Sequence, residues 1–188
     1  MAKKSIILNN ALKLFTVFGY DNTGVQKIAD ISGITKPTLY HYFGSKDGLL
    51  YELIKINVED FLKELYKSCE YNFDVRTTLE KVVFCFFKFA KEKPDFCKFF
   101  LNSEFSPNES DVRICSFFFR KNMFEYVKSI FEKAENDHGN MKGRSQRYTI
   151  SFLGTINSYI SMNYSELIEL DDHCVKEVVR QYLYGIFS

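Results

Sequence analysis

Apolar residues return every three or four positions along nearly all of this 188-residue chain, which limits it to packed helices. Ile7, Ala11, Leu14, Phe15 and Phe18 share one helical face, and Gly19 ends that run. Thr23-Gly24-Val25-Gln26 has the threonine-to-glutamine spacing of a capping box. It opens a short helix with Val25, Ile28 and Ala29 on one face. Gly33 stops that helix, and Ile34 fills the turn. A third short helix is expected from about Pro37 to Phe43. A longer one follows from Lys46, capped by Ser45, with Leu50, Leu53, Ile54, Val58, Phe61 and Leu65 as its stripe. Further on, the spacing predicts helices at about 74–92, 94–103, 108–137, 143–164 and 171–187. Pro94, Ser106-Pro107-Asn108 and His138-Gly139-Asn140 punctuate them, and Asp171-Asp172 suits the dipole at the start of the last. No segment alternates as a strand does. The expected fold is all-α: a head of three short helices (residues 1–48), a linking fourth, and a helical body (49–188).

Apolar residues make up 46% and charged residues 26%, a globular composition and not a disordered one. The apolar run in the first ten residues stops at Asn9-Asn10, too soon for a signal-peptide core. No apolar stretch approaches the roughly 20 residues of a membrane span, so the expectation is a cytoplasmic chain with no membrane partner. Five scattered cysteines without a CxxC pair read as small buried hydrophobes of a reducing compartment. Charge is uneven. Residues 1–48 carry +3 and the remaining 140 carry −2, which suits a head that meets an anion.

Enzyme chemistry finds little support. The chain has three histidines, no glycine-rich phosphate loop and no nucleophile elbow. Asp171-Asp172-His173-Cys174 groups metal-ligand types, but adjacent helical residues point apart and a helix start accounts for the acids. We expect no enzyme activity, no cofactor and no metal.

The segment Thr35 to Lys46 is the most informative. Proline is tolerated in a first helical turn, so Pro37 starts a helix, with Thr35 or Lys36 as its cap. At about 100° per residue, Leu39 and Phe43 fall together toward a core. Pro37, Thr38 and His41 fall opposite, flanked by Tyr40 and Tyr42. Capped helix, glycine turn and a short helix of this kind make a helix-turn-helix. Its outward face suits base edges, and its tyrosine hydroxyls suit phosphates. Lys46, beside the positive end of the next helix, suits a phosphate clamp. The same spacing also suits an ordinary helical surface.

The residues Thr23-Gly24-Val25, Ile28-Ala29, Gly33 through Phe43, Ser45-Lys46 and Leu49 resemble the DNA-binding head of the TetR family of bacterial transcriptional regulators. The resemblance covers about residues 5–50. Ser32 departs from the family's usual alanine, and Gly24 from its usual serine or threonine, which removes one possible phosphate contact. The resemblance implies DNA contacts at Thr23, Gln26, Thr35, Lys36, Pro37, Thr38, Tyr40, His41, Tyr42 and Lys46. It also implies a homodimeric repressor on a palindromic double-stranded operator, released when a small-molecule effector enters the body.

The body matches that family only in helix count and length. Its phenylalanine clusters fill a core and suit an aromatic-lined cavity for an apolar effector, with Phe86, Phe89, Phe100, Phe118 and Tyr126 as candidate lining. The last two helices carry long apolar stripes, and the resemblance implies a four-helix bundle with a two-fold mate. Ile156, Ile160, Val175, Val179, Tyr182 and Ile186 are the expected interface. Such stripes equally suit the chain's own core. Two other readings stay open at this level: an architectural DNA-binding protein without an inducer, and a thiol sensor acting through Cys85, Cys97 or Cys115.

Overall fold

A computed structural model describes residues 2–185, and their regular structure is entirely helical. The described helices are α1 (Ala2–Phe18), α2 (Val25–Ile31), α3 (Lys36–Phe43), α4 (Lys46–Ser68) and α5 (Val75–Glu92). They continue as α6 (Pro94–Asn102), α7 (Asp111–Ala134), α8 (Ser145–Tyr164) and α9 (Asp172–Tyr184). Short 3-10 turns occupy Ser103–Phe105 and Gly139–Met141.

The residues group into two compact units. One holds the chain up to Glu59 together with Lys93–Phe119; the other holds Asp60–Glu92 and the residues from Arg120 onward. Both α4 and α7 run unbroken through a boundary between units.

In the first unit, Ile7, Leu8, Ala11, Leu14 and Phe15 of α1 pack with Ile28 and Ala29, Leu39 and Phe43, and Leu49, Leu50, Leu53 and Ile54, all buried. Phe15 stacks on Phe99 of α6 with ring centres 6.2 Å apart and meets Tyr20 edge-on at 5.1 Å. The helix-turn-helix thus shares one core with α6. Lys93 fastens that arrangement by donating to the Asn57 carbonyl at 3.1 Å.

In the second unit, Phe61 lies between Phe86 (5.0 Å, edge-on) and Phe89 (4.3 Å, stacked). Phe131 and Phe152 are fully buried against Tyr182, whose hydroxyl donates to the Tyr148 carbonyl at 2.8 Å. Tyr164 donates to the Ala90 carbonyl and Lys91 to the Leu170 carbonyl, each at 3.1 Å, joining α8 and the loop before α9 to α5.

Several helix starts differ from expectation. α7 begins at Asp111, because the Ser110 N–H closes a turn onto the Pro107 carbonyl (3.0 Å) and the Ser110 side chain caps Arg113 N–H (3.3 Å). The capping box is absent. Gly24 is the cap residue of α2 and makes no side-chain bond, while Thr23 points inward. Phe18 leaves the α1 stripe and is exposed, with the Lys27 ammonium 3.5 Å above its ring. Asp171 does cap α9, accepting from Cys174 N–H at 2.7 Å. The last expected turn of α9 extends past the described residues.

Candidate nucleic-acid interface

Thr35 is the cap of α3. Its hydroxyl oxygen accepts from Thr38 N–H at 3.3 Å and lies 2.8 Å from the Thr38 hydroxyl. Lys36 and Pro37 therefore occupy the first two helical positions, where a missing N–H costs nothing. Only Leu39 and Phe43 anchor the helix inward. Lys36, Pro37, His41, Tyr40 and Tyr42 are exposed, the two tyrosines at 39% each. Thr38 is half-buried, and its hydroxyl is shared with that of Thr35 in an exposed bond. The Lys36 ammonium is 5.8 Å from the Tyr40 ring centre, and His41 meets Tyr42 edge-on at 6.0 Å.

The turn after α3 is fixed by two glycines with different jobs. Gly44 ends the helix at φ 74°, a left-handed conformation that other residues adopt at a cost. Gly48 packs so tightly under the Phe43 carbonyl that a Cβ there would overlap its oxygen. Ser45 caps α4 by accepting from Gly48 N–H at 2.9 Å, as expected.

Lys46 has a second partner that the spacing did not reveal. Its ammonium donates to the Tyr20 carbonyl at 2.6 Å and sits 4.0 Å over the Tyr20 ring. The Tyr20 hydroxyl in turn donates to Asp47 Oδ1 at 2.5 Å. Burial, then the bond to Asp47, push the Tyr20 phenol far above its ordinary pKa. Lys46 is half-buried and keeps two N–H groups for an anion. Tyr20 thus ties the α1–α2 turn to the start of α4. The only sequence signal was an aromatic residue directly after the helix-ending Gly19.

Thr23 corrects the expected contact set. It is fully buried, and its hydroxyl donates to the Gly19 carbonyl at 2.7 Å, so its side chain holds the turn and offers nothing to DNA. Gln26 is exposed and donates to Asp30 Oδ1 at 2.7 Å.

The body candidates fare differently. Phe86, Phe89 and Phe100 are buried and Tyr126 is half-buried, edge-on to Tyr66 at 5.2 Å. Phe118 is exposed and lines no interior. Phe86, Phe89 and Tyr126 belong to one unit, Phe100 and Phe118 to the other. An open groove of about 360 Å³ lined by Ser68, Thr77, Phe84 and Val175 includes none of these five. Ile156, Ile160, Val175 and Val179 are buried within their own protomer and form no exposed face, which corrects the expected interface. Tyr182 is tied down as described above, and Ile186 lies outside the described residues. The stripes face inward because α8 and α9 pack on each other and on α5.

Three of the five cysteines, Cys69, Cys85 and Cys97, are buried. Among the described residues no group of three His, Cys, Asp or Glu stands ready to hold a metal ion, and no helix is long and apolar enough to cross a membrane.

Residues 7–53, which span the whole of this helix-turn-helix, match the family described as bacterial regulatory proteins, tetR family. The head of this chain is that family's DNA-binding head. It is 27% identical over 124 residues to YuxN of Bacillus subtilis, an uncharacterized HTH-type transcriptional regulator; the match spans 66% of this chain and 43% of YuxN. It is 36% identical over 64 residues to the HTH-type transcriptional regulator RutR of Escherichia coli, spanning 34% of this chain and 30% of RutR. The chain thus matches less than half the length of either relative. The crystal structure of the transcriptional regulator FadR from Bacillus subtilis in complex with stearoyl-CoA shares the fold, with a TM-score of 0.78 at 18% identity over 97% of this chain and 98% of FadR. The tetR-family match thus rests on the head, residues 7–53, and the body shares the fold of FadR.

Proposed function

We propose that this protein is a ligand-responsive transcriptional regulator, most simply a repressor, that binds a palindromic operator as a homodimer. The observation that carries the reading is α3 itself. It is an eight-residue helix with two buried anchors, and it turns a cation, a histidine and two tyrosines to solvent. A helix so placed enters a major groove. Pro37, Thr38 and His41 then meet base edges, while Lys36, Tyr40, Tyr42, Gln26, the Thr35 cap region and the remaining N–H groups of Lys46 meet phosphates.

The dimer face we propose is the outward side of α8, where Ile150 and Met162 are exposed with Gly154 and Ser158 between them, and not the buried stripe. The effector we propose is apolar and acyl-like. It is supported by the aromatic core around Phe61, Phe86 and Phe89, with Tyr126 at its margin, and by the stearoyl-CoA bound to FadR, a protein of the same fold. An effector acts only through different affinities for the DNA-bound and free protein. Since α4 and α7 each belong to both units, they are the covalent helical paths along which such a difference reaches the head.

Selecting bound sites from random DNA tests the reading. A recovered palindrome with half-sites one helical turn apart, about 34–36 Å, is the expected result. Fatty acids and acyl-CoA thioesters are then titrated against free and operator-bound protein. An inducer binds the free form more tightly. Equal binding to both forms sinks the inducible reading in favour of an architectural one, and failure to enrich any site sinks DNA recognition altogether.

A further inference from the structure

The open groove of about 360 Å³ lies wholly within the second unit, where the end of α4, the first half of α5 and the start of α9 meet. On α5, Thr77, Glu80, Lys81 and Phe84 recur three and four residues apart and share one face. Phe86 and Phe89 are turned about 140–200° away from Phe84 at about 100° per residue, into the aromatic core around Phe61. The groove is therefore on the far side of α5 from that core.

Two apolar side chains line the groove: Val175, almost buried, and Phe84, which keeps 49% of its surface exposed. The neutral polar groups around them are already engaged. The Ser68 hydroxyl donates to the Glu64 carbonyl at 2.9 Å, and the Thr77 hydroxyl donates to Asp74 Oδ2 at 2.7 Å. Of the acids, Glu80 pairs with Arg76 at 3.1 Å. Asp172 stands in the first turn of α9, where the positive helix end already favours a carboxylate. Lys81 and Lys176 differ from all of these. Both are exposed, and among the described residues neither ammonium forms an ion pair or a hydrogen bond.

We propose that this groove binds a small amphipathic monoanion, an aromatic carboxylate or sulfonate, with its rings against Phe84 and Val175 and its anionic group held by Lys81 and Lys176. The volume falls near the lower end of small-molecule sites, about 300–1,000 Å³, which limits the ligand to a compact one. An exposed Phe84 ring favours a second ring as its partner. Lys81 and Lys176 outnumber Asp172, the one lining acid without an ion pair among the described residues, so the lining has one positive charge in excess. A single negative charge on the ligand balances it. An uncharged apolar compound would leave both ammonium groups without a partner. The site is separate from the effector site proposed in the aromatic core, and it depends neither on that reading nor on DNA binding.

Fluorescence titration of the full chain with two probes of one ring skeleton tests it. One is the anion 1-anilinonaphthalene-8-sulfonate; the other is its uncharged counterpart, N-phenyl-1-naphthylamine. Replacing both lysines, Lys81→Gln with Lys176→Gln, is expected to weaken the anion about tenfold or more and leave the uncharged probe as it was. Phe84→Ser is expected to weaken both probes. All three positions are exposed, so the fold should survive, and a circular dichroism melt confirms it. Phe89→Leu, in the aromatic core, is expected to alter neither probe's affinity. If the lysine variant weakens both probes alike or neither, the lysines do not hold the anion and the proposal fails. If Phe89→Leu weakens the probes and Phe84→Ser does not, the probes occupy the core and the groove is not their site.

Discussion

The Tyr20 hydroxyl donates to Asp47 while the Tyr20 carbonyl receives the Lys46 ammonium, so consecutive residues of α4 hold opposite ends of one tyrosine. Tyr20 also meets Phe15, which stacks on Phe99 of α6. Removing the hydroxyl leaves the ring contacts in place and the Asp47 carboxylate without its donor. Tyr20→Phe should therefore cost about 1.5–3 kcal/mol, the range for a hydrogen bond to a charged group. Urea unfolding measures it. A change under about 0.5 kcal/mol would mean that water replaces the hydroxyl without loss.

Alkaline pH should destabilise the fold through buried thiols. Burial pushes Cys69 and Cys85 up to about 12 from an ordinary 9.0. Tyr182 is likewise pushed up by burial to about 12 from 10.0. A raised folded-state value means that the folded chain holds its proton after the unfolded chain has released it. The associated stability is complete below pH 9 and is lost as pH rises from there toward 12. Melting temperatures measured from pH 8 to 12 should fall from about pH 9, and the fall should be shallower in Cys85→Ala. Identical slopes in the two proteins would remove Cys85 from this account. The same burial disfavours a thiolate at neutral pH and weighs against Cys85 as an oxidant sensor.

Each described α-helix was legible as a helix, because apolar spacing repeats along it and glycine, proline or capping residues mark most of the ends. The α3 anchor pair, Leu39 and Phe43, followed from that spacing alone. What the sequence did not disclose was which partner a polar group takes. Thr23 and Gln26 have capping-box spacing, but the chain turns Thr23 inward to close the Gly19 turn instead. Lys46 looked like a free cation because its partner, the Tyr20 carbonyl, is a backbone group 26 residues away. The α8 and α9 stripes could not be assigned to a partner or to the chain's own core, since both need the same periodicity. Phe118 lies between exposed Phe117 and buried Phe119 and itself faces solvent, and a run of three phenylalanines does not say which of them turns inward.

That ambiguity in the last helices gives a paired prediction. Val179 is fully buried, so Val179→Lys places an unpaired charge in the second unit's core and should unfold the chain. Ile150 is 57% exposed, so Ile150→Lys should leave the fold intact and weaken the proposed dimer. Circular dichroism melts and sedimentation separate the two effects. A folded Val179→Lys monomer would restore the original interface assignment.

The closing prediction separates three jobs within the head. Lys36 is exposed at the first position of α3, and a lost phosphate contact lowers the salt slope of binding by about 0.9. Lys36→Ala should therefore weaken binding to all sequences alike and leave stability unchanged. Lys46 should lower the slope by the same amount on substitution, but it also holds the Tyr20 carbonyl. Lys46→Ala should thus cost about 1–3 kcal/mol of folding stability as well, as expected for a bond to a charged group. His41 faces outward between the tyrosines, where base edges lie if α3 enters the major groove. His41→Ala should leave the salt slope alone and narrow the gap between operator and random DNA by about 1–3 kcal/mol. Fluorescence anisotropy at several salt concentrations, on operator and on random duplexes, reads all three. If His41→Ala and Lys36→Ala lose affinity equally on both DNAs, α3 lies along the backbone and not in the groove, and the assignment of its faces is reversed.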